Sequence, residues 1–291
     1  MLKLVEQKSS QNLYDYYREN LVGKVPYYHQ VSKKSWENSF FEDTDYDGDK
    51  KYGELITYCN LTVGGTVNGF IQFGCSNYGY DEAGEKSFEH SAGMIRQIHF
   101  LHNQKAVGEE LLATAFRYFQ EMELDVSYAF FHALGMTCTG NHGKLHESMS
   151  EVAELLLDNG CHVEHTNVYY AKKLDSAKEI TAFSLSMKSA EKTENQTQMF
   201  TFYEGEQAVG QANVAYLPEN AIAYLRWIFM LDEHQNKGFG TEALQLLFAF
   251  LSHEGMTELH TDTADNNMRA QHVYEKNGFE HLGITRSYMF S

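Results

Sequence analysis

The sequence predicts a mixed α/β fold arranged as two similar domains, and three observations support this prediction. The chain has 291 residues, a length that suits about two domains of ordinary size. Runs rich in β-branched and aromatic residues alternate with runs of helical periodicity along the whole chain. The order of these runs repeats once: strand, turn, helix, strand, helix and strand.

The second copy has the clearer pattern. Its first helix is predicted from the spacing of Leu244, Leu247, Phe248 and Leu251, which recur at helical intervals. Its second helix ends at Asn277-Gly278, a common helix stop. We expect these elements in order: a strand over Ala221–Met230, a turn over Gln235–Gly240, a helix over Thr241–His253, a strand over Glu258–Thr263, a helix from near Asn267, and a strand over Leu282–Phe290.

The first copy follows the same order more loosely. We expect a strand over Met94–Leu101, a turn over Asn103–Gly108, a helix bearing Leu112, Ala115, Phe116 and Phe119 on one face, a strand over Val126–Ala133, a helix from Lys144 to Asn159-Gly160, and a strand over His162–Lys172. The turns lie 132 residues apart (240 − 108) and the helix stops 118 apart (278 − 160), so the first copy carries an insertion around Leu134–Gly143. The boundary should fall near Lys173–Lys178 or in the polar run Lys188–Gln198, which gives domains of residues 1–175 and 176–291.

Charge and composition exclude several classes of function. With 23 basic and 40 acidic residues the net charge is −17, which repels nucleic-acid phosphates and suits a cationic small molecule or a basic peptide. The simpler interpretation is that the charge only keeps the protein in solution. No stretch of 18 apolar residues predicts a membrane span, and Met1–Lys8 lacks the apolar core of a signal peptide. The four cysteines form no CxxC pair, so we expect reduced thiols and a cytoplasmic protein.

The glycine turn of the second copy predicts an anion site. Gly238 and Gly240 stand between a strand and a helix, where unpaired N–H groups and the helix dipole attract a phosphate. Lys237 adds a local positive charge to an acidic protein. Turns of this kind also occur only for packing, and this one is not a Walker motif. Ala243 stands where the dinucleotide pattern has its third glycine, which weakens that interpretation without eliminating it.

A second motif decides between these interpretations of the glycine turn. Gln235–Gly240 together with Asn267–Phe279 resembles the GNAT superfamily of acetyl-CoA-dependent N-acetyltransferases, whose signatures are Q/R-x-x-G-x-G/A and N-x-x-A-x-x-x-Y-x-x-x-G-F. The resemblance is clear over about Met199–Phe290 and covers the first half as a diverged copy. It implies two tandem GNAT-like acyl-CoA N-acyltransferase domains, each with a mixed sheet that opens like a V around acetyl-CoA, the co-substrate.

The resemblance also assigns roles to residues of the second copy. Tyr274 would be the general acid near the sulfur, and it lies two helical turns after Asn267, so both can face one cleft. The remaining roles concern acetyl-CoA binding: backbone groups of Phe229 and Met230 for the thioester and pantetheine, Asn267 for the pantetheine, and Gln235, Asn236, Lys237, Gly238, Phe239, Gly240 and Thr241 for the diphosphate.

The general base is not assigned by the sequence. Family members often carry a Glu on the strand before the glycine turn, and Tyr224 occupies about that position here. A water relay, Asp232, Glu233 or Glu219 remain open as routes for the proton.

The first copy lacks the residues that the chemistry needs. Ala106 replaces the first glycine of the turn, and Asn103 replaces the glutamine. By the 118-residue offset, Leu156 stands in place of Tyr274 and Met149 in place of Asn267. A leucine cannot protonate a thiolate, so we expect the first domain not to catalyse.

The predicted function is acetyl transfer from acetyl-CoA directly to an amine, by a monomer or homodimer with no nucleic-acid or membrane partner. A small cationic acceptor fits the charge, although the acceptor itself remains open among antibiotics, polyamines, amino acids, metabolites and protein amines. The alternatives are a protein amine acetyltransferase and a non-catalytic acyl-CoA-binding regulatory or scaffold protein.

One motif lies outside this prediction. Asp43–Glu54 has the spacing of an EF-hand calcium loop, but Lys50 replaces an apolar residue and Leu55–Tyr58 predicts a strand where the exit helix should begin. An acidic connection between a helix and a strand is the other interpretation, and no metal ligand is assigned. The pairs His99/His102 and His162/His165 are three apart in or beside strands, so they face opposite sides and are predicted to be structural.

Overall fold

The protein forms two compact units. The computed structural model describes residues 1–41, 44–45, 48–80, 86–87, 92–124, 126–132, 134–174 and 183–290. Unit 1 comprises Met1–Thr166 together with the C-terminal residues from Thr285, and unit 2 comprises Asn167–Ile284. The predicted mixed α/β class is confirmed, because strands and helices alternate in both units.

The chain passes between the units inside strands. It leaves unit 1 between Thr166 and Asn167, and it returns between Ile284 and Thr285. The predicted division at 175/176 stays a prediction about the sequence repeat, and most of its boundary segment, residues 175–178, lies outside the described residues. The alternative boundary, Lys188–Gln198, runs from the end of one strand of unit 2 to the start of the strand that pairs with it.

Unit 1 is a sheet with helices. Its elements are β1 (Leu2–Leu4), α1 (Gln11–Asn20), α2 (Lys33–Phe41), β2 (Tyr52–Leu61), β3 (Val67–Ser76), β4 (Gly79–Tyr80), β5 (Lys86–Ser87), β6 (Gly93–Phe100), α3 (Lys105–Glu121), β7 (Ser127–Ala129), β8 (Leu145–His146), α4 (Ser150–Asp158) and the start of β9 (His162–Lys173). Strands β1, β2, β3 and β6 pair antiparallel in that order, and β6 pairs with β7 in parallel.

Two predictions for the first copy were wrong in extent. The strand expected over Val126–Ala133 ends at Ala129, because Phe130 takes a positive φ of 56° (Ala133 lies outside the described residues). The helix expected from Lys144 begins only at Ser150. The residues between Lys144 and Ser150 make other contacts. The Lys144 carbonyl accepts a 2.6 Å hydrogen bond from the Tyr27 hydroxyl, and β8 pairs with the last strand.

Unit 2 repeats the architecture. Its elements are the end of β9, β10 (Leu185–Ser189), β11 (Thr197–Glu204), β12 (Gln207–Leu217), β13 (Ile222–Met230), α5 (Phe239–His253), β14 (Glu258–Ala264), α6 (Met268–Lys276) and the start of β15 (Glu280–Phe290). The sheet order is β9, β14, β13, β12, β11, β10, and only β13 and β14 are parallel. These elements agree with the predicted order, and Asn267 caps α6 as its Oδ1 accepts from the Ala270 N–H.

Two irregularities in β13 shape the centre of unit 2. The register with β12 shifts where Leu225 pairs with Val214 and Trp227 with Asn213, which leaves Arg226 as the extra residue of a β-bulge. Pairing with β14 ends at Leu225 and Thr261, although both strands continue. The two strands therefore separate beyond this pair, and from there on the same edge of β13 has no strand partner among the described residues.

Both helices pack on one face of the unit 2 sheet. Ala223, Leu225 and Leu259 share an apolar core with Leu244 and Leu247 of α5. Because side chains alternate along a strand, the neighbouring residues of β13 and β14 lie on the other face. No helix in the described part of the chain is long and apolar enough to cross a membrane.

The calcium-like loop is only partly described. Asp43, Tyr46 and Asp47 lie outside the described residues. Of the others, Asp45 and Asp49 each form a 2.7 Å ion pair with Lys86. Strand β2 follows the loop, so the exit helix of an EF-hand is not formed. The described residues contain no cluster of metal-ligating side chains.

Candidate active site

A cleft of about 380 Å³ opens in unit 2 where β13 and β14 separate. Its lining comes from the end of β13, the glycine turn, the first turns of α5 and one side of α6. The lining residues are Ile228, Phe229, Met230, His234, Gln235, Asn236, Gly238, Gly240, Thr241, Leu244, Asn267, Arg269, Ala270, Val273 and Tyr274.

The end of β13 offers backbone groups to this cleft. The Leu231 N–H donates to the Val209 carbonyl of β12 at 2.9 Å. Because backbone groups of a strand point alternately to its two sides, those of Phe229 also point to β12 and those of Ile228 and Met230 point away from it. Accordingly the Met230 carbonyl accepts a hydrogen bond from the Gln235 side chain at 3.1 Å. Met230 fits the expected backbone role better than Phe229, whose side chain lines the cleft.

The glycine turn brings the N-terminus of α5 to the cleft. Asn236 has a φ of 61° and Gly238 a φ of 86°, so the turn uses the left-handed region twice. At Gly240 a Cβ would meet only Val273 Cγ1, at 3.9 Å, so protein packing does not require glycine there. The N–H groups of Thr241 and Glu242 donate to the Gly238 carbonyl, whereas those of Phe239 and Gly240 have no earlier carbonyl of the helix to bond and can receive an anion.

The acidic residue of this first helical turn is held elsewhere. The Glu242 carboxylate accepts hydrogen bonds from the Ser184 and Leu185 N–H groups at 2.9 and 3.1 Å. It also accepts from the Ser184 hydroxyl at 2.8 Å. These contacts hold the carboxylate at β10, and Glu242 does not line the cleft.

Gln235 connects the three parts of the cleft. Its Nε2 donates to the Met230 carbonyl and to Asp232 Oδ1, the latter at 2.8 Å. Its Oε1 accepts from Arg269 Nη1 at 2.7 Å. The glutamine of the first signature therefore fixes the turn against β13 and holds an exposed arginine of α6 over the cleft. Sequence reasoning missed Arg269, because it stands at a variable position of the second signature.

Tyr274 lies at the point where the strands separate. It is 5% exposed and packs against Tyr170 and Phe279, with ring centroids 5.8 and 5.2 Å away. It also forms a hydrogen bond with the side chain of Thr261, the last residue of β14 that pairs with β13. Burial raises the pKa of Tyr274 above its ordinary value, the Asp262 charge adds to this, and the Thr261 hydrogen bond opposes it. The phenol therefore stays protonated at neutral pH.

Most of the predicted site residues come together here. Lys237 and Phe239 do not line the cleft: Lys237 is exposed, and Phe239 is buried in the core with its ring stacked on His234. The other nine do, namely Phe229, Met230, Gln235, Asn236, Gly238, Gly240, Thr241, Asn267 and Tyr274.

The carboxylates suggested as bases are less well placed. Asp232 is hydrogen-bonded to Gln235, and Glu219 lies before the start of β13, at the end away from the cleft. Glu233 is an exposed residue of the turn and does not line the cleft. Tyr224, which stands near the family's glutamate position, donates a 2.5 Å hydrogen bond to Asp262 of β14.

Unit 1 carries a residue of opposite charge at the position that corresponds to Arg269. By the 118-residue offset Glu151 stands in place of Arg269, and its carboxylate accepts from the Asn103 N–H at 3.4 Å and lies 2.9 Å from His102 Nδ1. Leu156, in place of Tyr274, is fully buried. A glutamate carboxylate thus lies against the turn before α3, where unit 2 has an arginine.

Comparisons with known proteins show what the chain resembles in sequence and in fold. The model of the acetyltransferase (GNAT) family matches residues 157–279. A tandem GNAT protein from the clavulanic acid biosynthesis pathway superimposes with a TM-score of 0.67 at 11% identity, covering 100% of this chain and 98% of its own. A GCN5-related N-acetyltransferase from Sphaerobacter thermophilus gives a TM-score of 0.62 at 8% identity, with 100% and 95% covered.

A third structure contains the fold as one part of a larger protein. The glucosamine N-acetyltransferase region of a fungal multi-domain GH3 β-N-acetylglucosaminidase gives a TM-score of 0.70 at 8% identity. It covers 100% of this chain, which spans 38% of that one. At these identities the structures show the fold alone. No curated protein has a sequence that matches the chain.

The family match over the second half and the likeness of the whole chain to a tandem protein confirm the resemblance drawn from the two signatures. Residues 157–279 match the GNAT acetyltransferase family, and the whole chain has the fold of a tandem GNAT protein.

Proposed function

We propose that the protein transfers an acetyl group from acetyl-CoA to the amine of a small, cationic acceptor, at the cleft of unit 2. One observation carries the proposal: the unpaired edge of β13, the N-terminus of α5 and the Tyr274 phenol meet at the place where β13 and β14 separate. Cysteine is not required as a nucleophile, because all four cysteines belong to unit 1. Their free thiols agree with our proposal of a cytoplasmic enzyme.

Each part of the cleft has a task in a direct transfer. The first N–H groups of α5, with Arg269, bind the diphosphate of acetyl-CoA. The Met230 N–H donates to the thioester carbonyl and stabilises the negative charge that forms when the amine adds. The C–S bond then breaks, and Tyr274 gives its proton to the departing thiolate. Its raised pKa keeps that proton available, and solvent returns it after CoA leaves.

The acidic surface favours a cationic acceptor. The net charge of −17 attracts a protonated amine and repels anionic competitors. The diphosphate of CoA is an exception that needs the local positive field of the α5 N-terminus and Arg269.

The test is an acetyl-CoA assay over a panel of polyamines, aminoglycosides, amino acids, aryl-alkylamines and a lysine peptide. Release of free CoA is measured together with the mass of the product. We expect an N-acetyl product, 42 Da heavier, for at least one small amine and no acetyl-enzyme. Tight acetyl-CoA binding without turnover on any acceptor would instead favour a non-catalytic binding protein. Turnover only on the peptide would favour a protein acetyltransferase.

A further inference from the structure

The face of the unit 2 sheet away from the helices carries a cluster of polar side chains. On β14, Leu259 and Thr261 face the helices, so Glu258, His260 and Asp262 alternate onto the other face. On β13, Tyr224 pairs with His260 and shares this face. Asp262 directly follows the last paired residue of β14, so its side chain stands beside the opening between the strands.

Asp262 accepts hydrogen bonds from side chains of both neighbouring strands. The Tyr224 hydroxyl donates to its Oδ1 and Asn167 Nδ2 donates to its Oδ2, both at 2.5 Å. Tyr224 is 7% exposed and Asn167 6% exposed, so the group is largely shielded from water. After burial, the Asp262 charge also contributes to the raised pKa of Tyr274, which lies on the other face of the sheet. The Tyr274 phenol and the Asp262 carboxylate thus lie on opposite faces of the sheet, beside the opening between β13 and β14.

An unsatisfied acceptor in this cluster points to a ligand with N–H groups. Asn167 Oδ1 is buried and has no hydrogen-bond partner among the described residues. Leaving such a buried acceptor unpaired carries a free-energy cost. An ammonium or amine group beside Asp262 would donate to it and remove that cost.

The same face presents an aromatic surface next to the cluster. The bulge at Arg226 resets the alternation, so Ile228 and Met230 pack on the core and Trp227 and Phe229 lie on the face of Tyr224. Trp227 and Phe229 stack with ring centroids 5.6 Å apart, yet they are 37% and 45% exposed. Exposed aromatic faces attract organic cations.

The other charged groups around Asp262 have partners of their own. His260 contacts the Tyr169 hydroxyl and Glu258 Oε2, each at 3.0 Å. Arg226 Nη1 donates to Asn213 Oδ1 at 3.0 Å. Asp262 is therefore the carboxylate that lies beside the opening and accepts the hydrogen bond of Tyr224.

We infer that Tyr224 is the general base of the acetyl transfer, that Asp262 is the proton acceptor behind it, and that this face binds the acceptor amine. This inference rests on the proposed function, and it assigns the base that the sequence left open. The acceptor class is a basic primary amine whose carbon skeleton packs on Trp227 and Phe229.

The protons balance over one turnover. The bound ammonium transfers one proton to Tyr224 Oη while the Tyr224 proton moves to Asp262 Oδ1, and the neutral amine attacks the thioester carbon. Asp262 then returns a proton to Tyr224, whose own proton passes to solvent, so both groups regain their starting state. The tetrahedral adduct loses a second proton by the same route as its C–S bond breaks, and the thiolate receives a proton from Tyr274. The amine thus loses two protons to solvent, and Tyr274 takes one back from solvent. Each turnover therefore releases one proton in net.

The experiment compares two amines of nearly equal shape. 2-Phenylethylamine is protonated at neutral pH, whereas O-benzylhydroxylamine is neutral and needs no base before it attacks. We expect Tyr224→Phe and Asp262→Asn to lower kcat/KM for 2-phenylethylamine about 10²–10⁴-fold, and for O-benzylhydroxylamine less than about tenfold. In both variants the rate with 2-phenylethylamine should rise about tenfold per pH unit, as free amine forms.

Asp265→Asn is the matched control, because Asp265 is an exposed aspartate three residues along the chain. It should behave as the wild type, and all variants should bind acetyl-CoA with a Kd within about twofold of it. Equal losses for both amines, or no loss for 2-phenylethylamine, would overturn the inference. Turnover with other acceptors but with neither probe would overturn it too, while leaving the proposed function in place. Absence of turnover with every acceptor would refute the proposed function itself.

Discussion

At the scale of single residues, Tyr274 combines burial with access to the cleft. Its ring packs between Tyr170 and Phe279, while its hydroxyl reaches Thr261 at the opening of the strands. The ring holds the position and the hydroxyl supplies the proton, so removing only the hydroxyl separates the two roles.

We therefore expect Tyr274→Phe to lower kcat about 10²–10⁴-fold while changing the Kd for acetyl-CoA less than about twofold. Stopped-time assays of CoA release and calorimetric titration measure the two quantities. Tyr170→Phe is the control, since its hydroxyl bonds Glu275 outside the cleft. A Tyr274→Phe enzyme with wild-type kcat would show that another group protonates the thiolate.

The position of Arg269 carries opposite charges in the two units. It lies over the cleft of unit 2 on Gln235, whereas Glu151 takes the matching place in unit 1. Arg269→Glu should raise the Kd for acetyl-CoA about tenfold or more at low ionic strength, and less at high salt, because the arginine is exposed. Arg117→Glu changes the net charge equally at an exposed site of α3. If titration shows the same weakening for both variants, the effect comes from overall charge.

At the scale of elements, the turn before α5 depends on glycine. Gly238 has a φ of 86° and nothing lies within 4 Å of the place of a Cβ, so strain and not crowding restricts the residue. Gly238→Ala should lower the free energy of unfolding by about 1–2 kcal/mol, and Gly238→Asn by less, because Asn tolerates the left-handed region. Urea denaturation measures both. An alanine variant as stable as wild type would mean that the turn changes conformation.

The sequence predicted the elements of unit 2 better than those of unit 1. Helices α5 and α6 carry strong periodicity, a glycine turn and an Asn cap, all of which are local signals. The short strand β7 and the late start of α4 result from Phe130 and from pairing with a distant strand, which leave no local pattern. The bulge at Arg226 and the end of pairing at Leu225 are likewise properties of register.

At the scale of the whole molecule, the predicted domain boundary and the compact units lead to different fragments. Asn167–Lys173 pairs with seven residues of β14, and Asn167 also holds Asp262. A fragment of residues 176–290 loses this strand and exposes the edge of β14. We expect it to unfold at lower urea than a fragment of residues 167–290, as followed by circular dichroism. Equal midpoints would show that the strand adds little to unit 2.

Buried tyrosines should make the protein sensitive to alkali. Burial raises the pKa of Tyr16, Tyr17, Tyr169 and Tyr216, and that of Tyr170 to about 12. A pKa above the unfolded value, about 10, means that the stabilisation is complete below pH 10 and is lost as the pH rises further. Melting temperatures should thus stay level from pH 7 to 9 and fall above about pH 10. A decline that begins near pH 8 would point to other groups.

By itself the sequence determined the resemblance to the GNAT family, the tandem fold and nine residues of the cleft, because these follow from local spacing: glycines in a turn, a cap, and a tyrosine two helical turns after it. Only the tertiary structure decided which groups stand beside them. Arg269 is held over the cleft by its hydrogen bond to Gln235. Asp262 of β14 accepts hydrogen bonds from Tyr224 of β13 and from Asn167 of β9. Such contacts depend on strand register and on the bulge, which are set by the packing of distant segments and have no signature in any one of them.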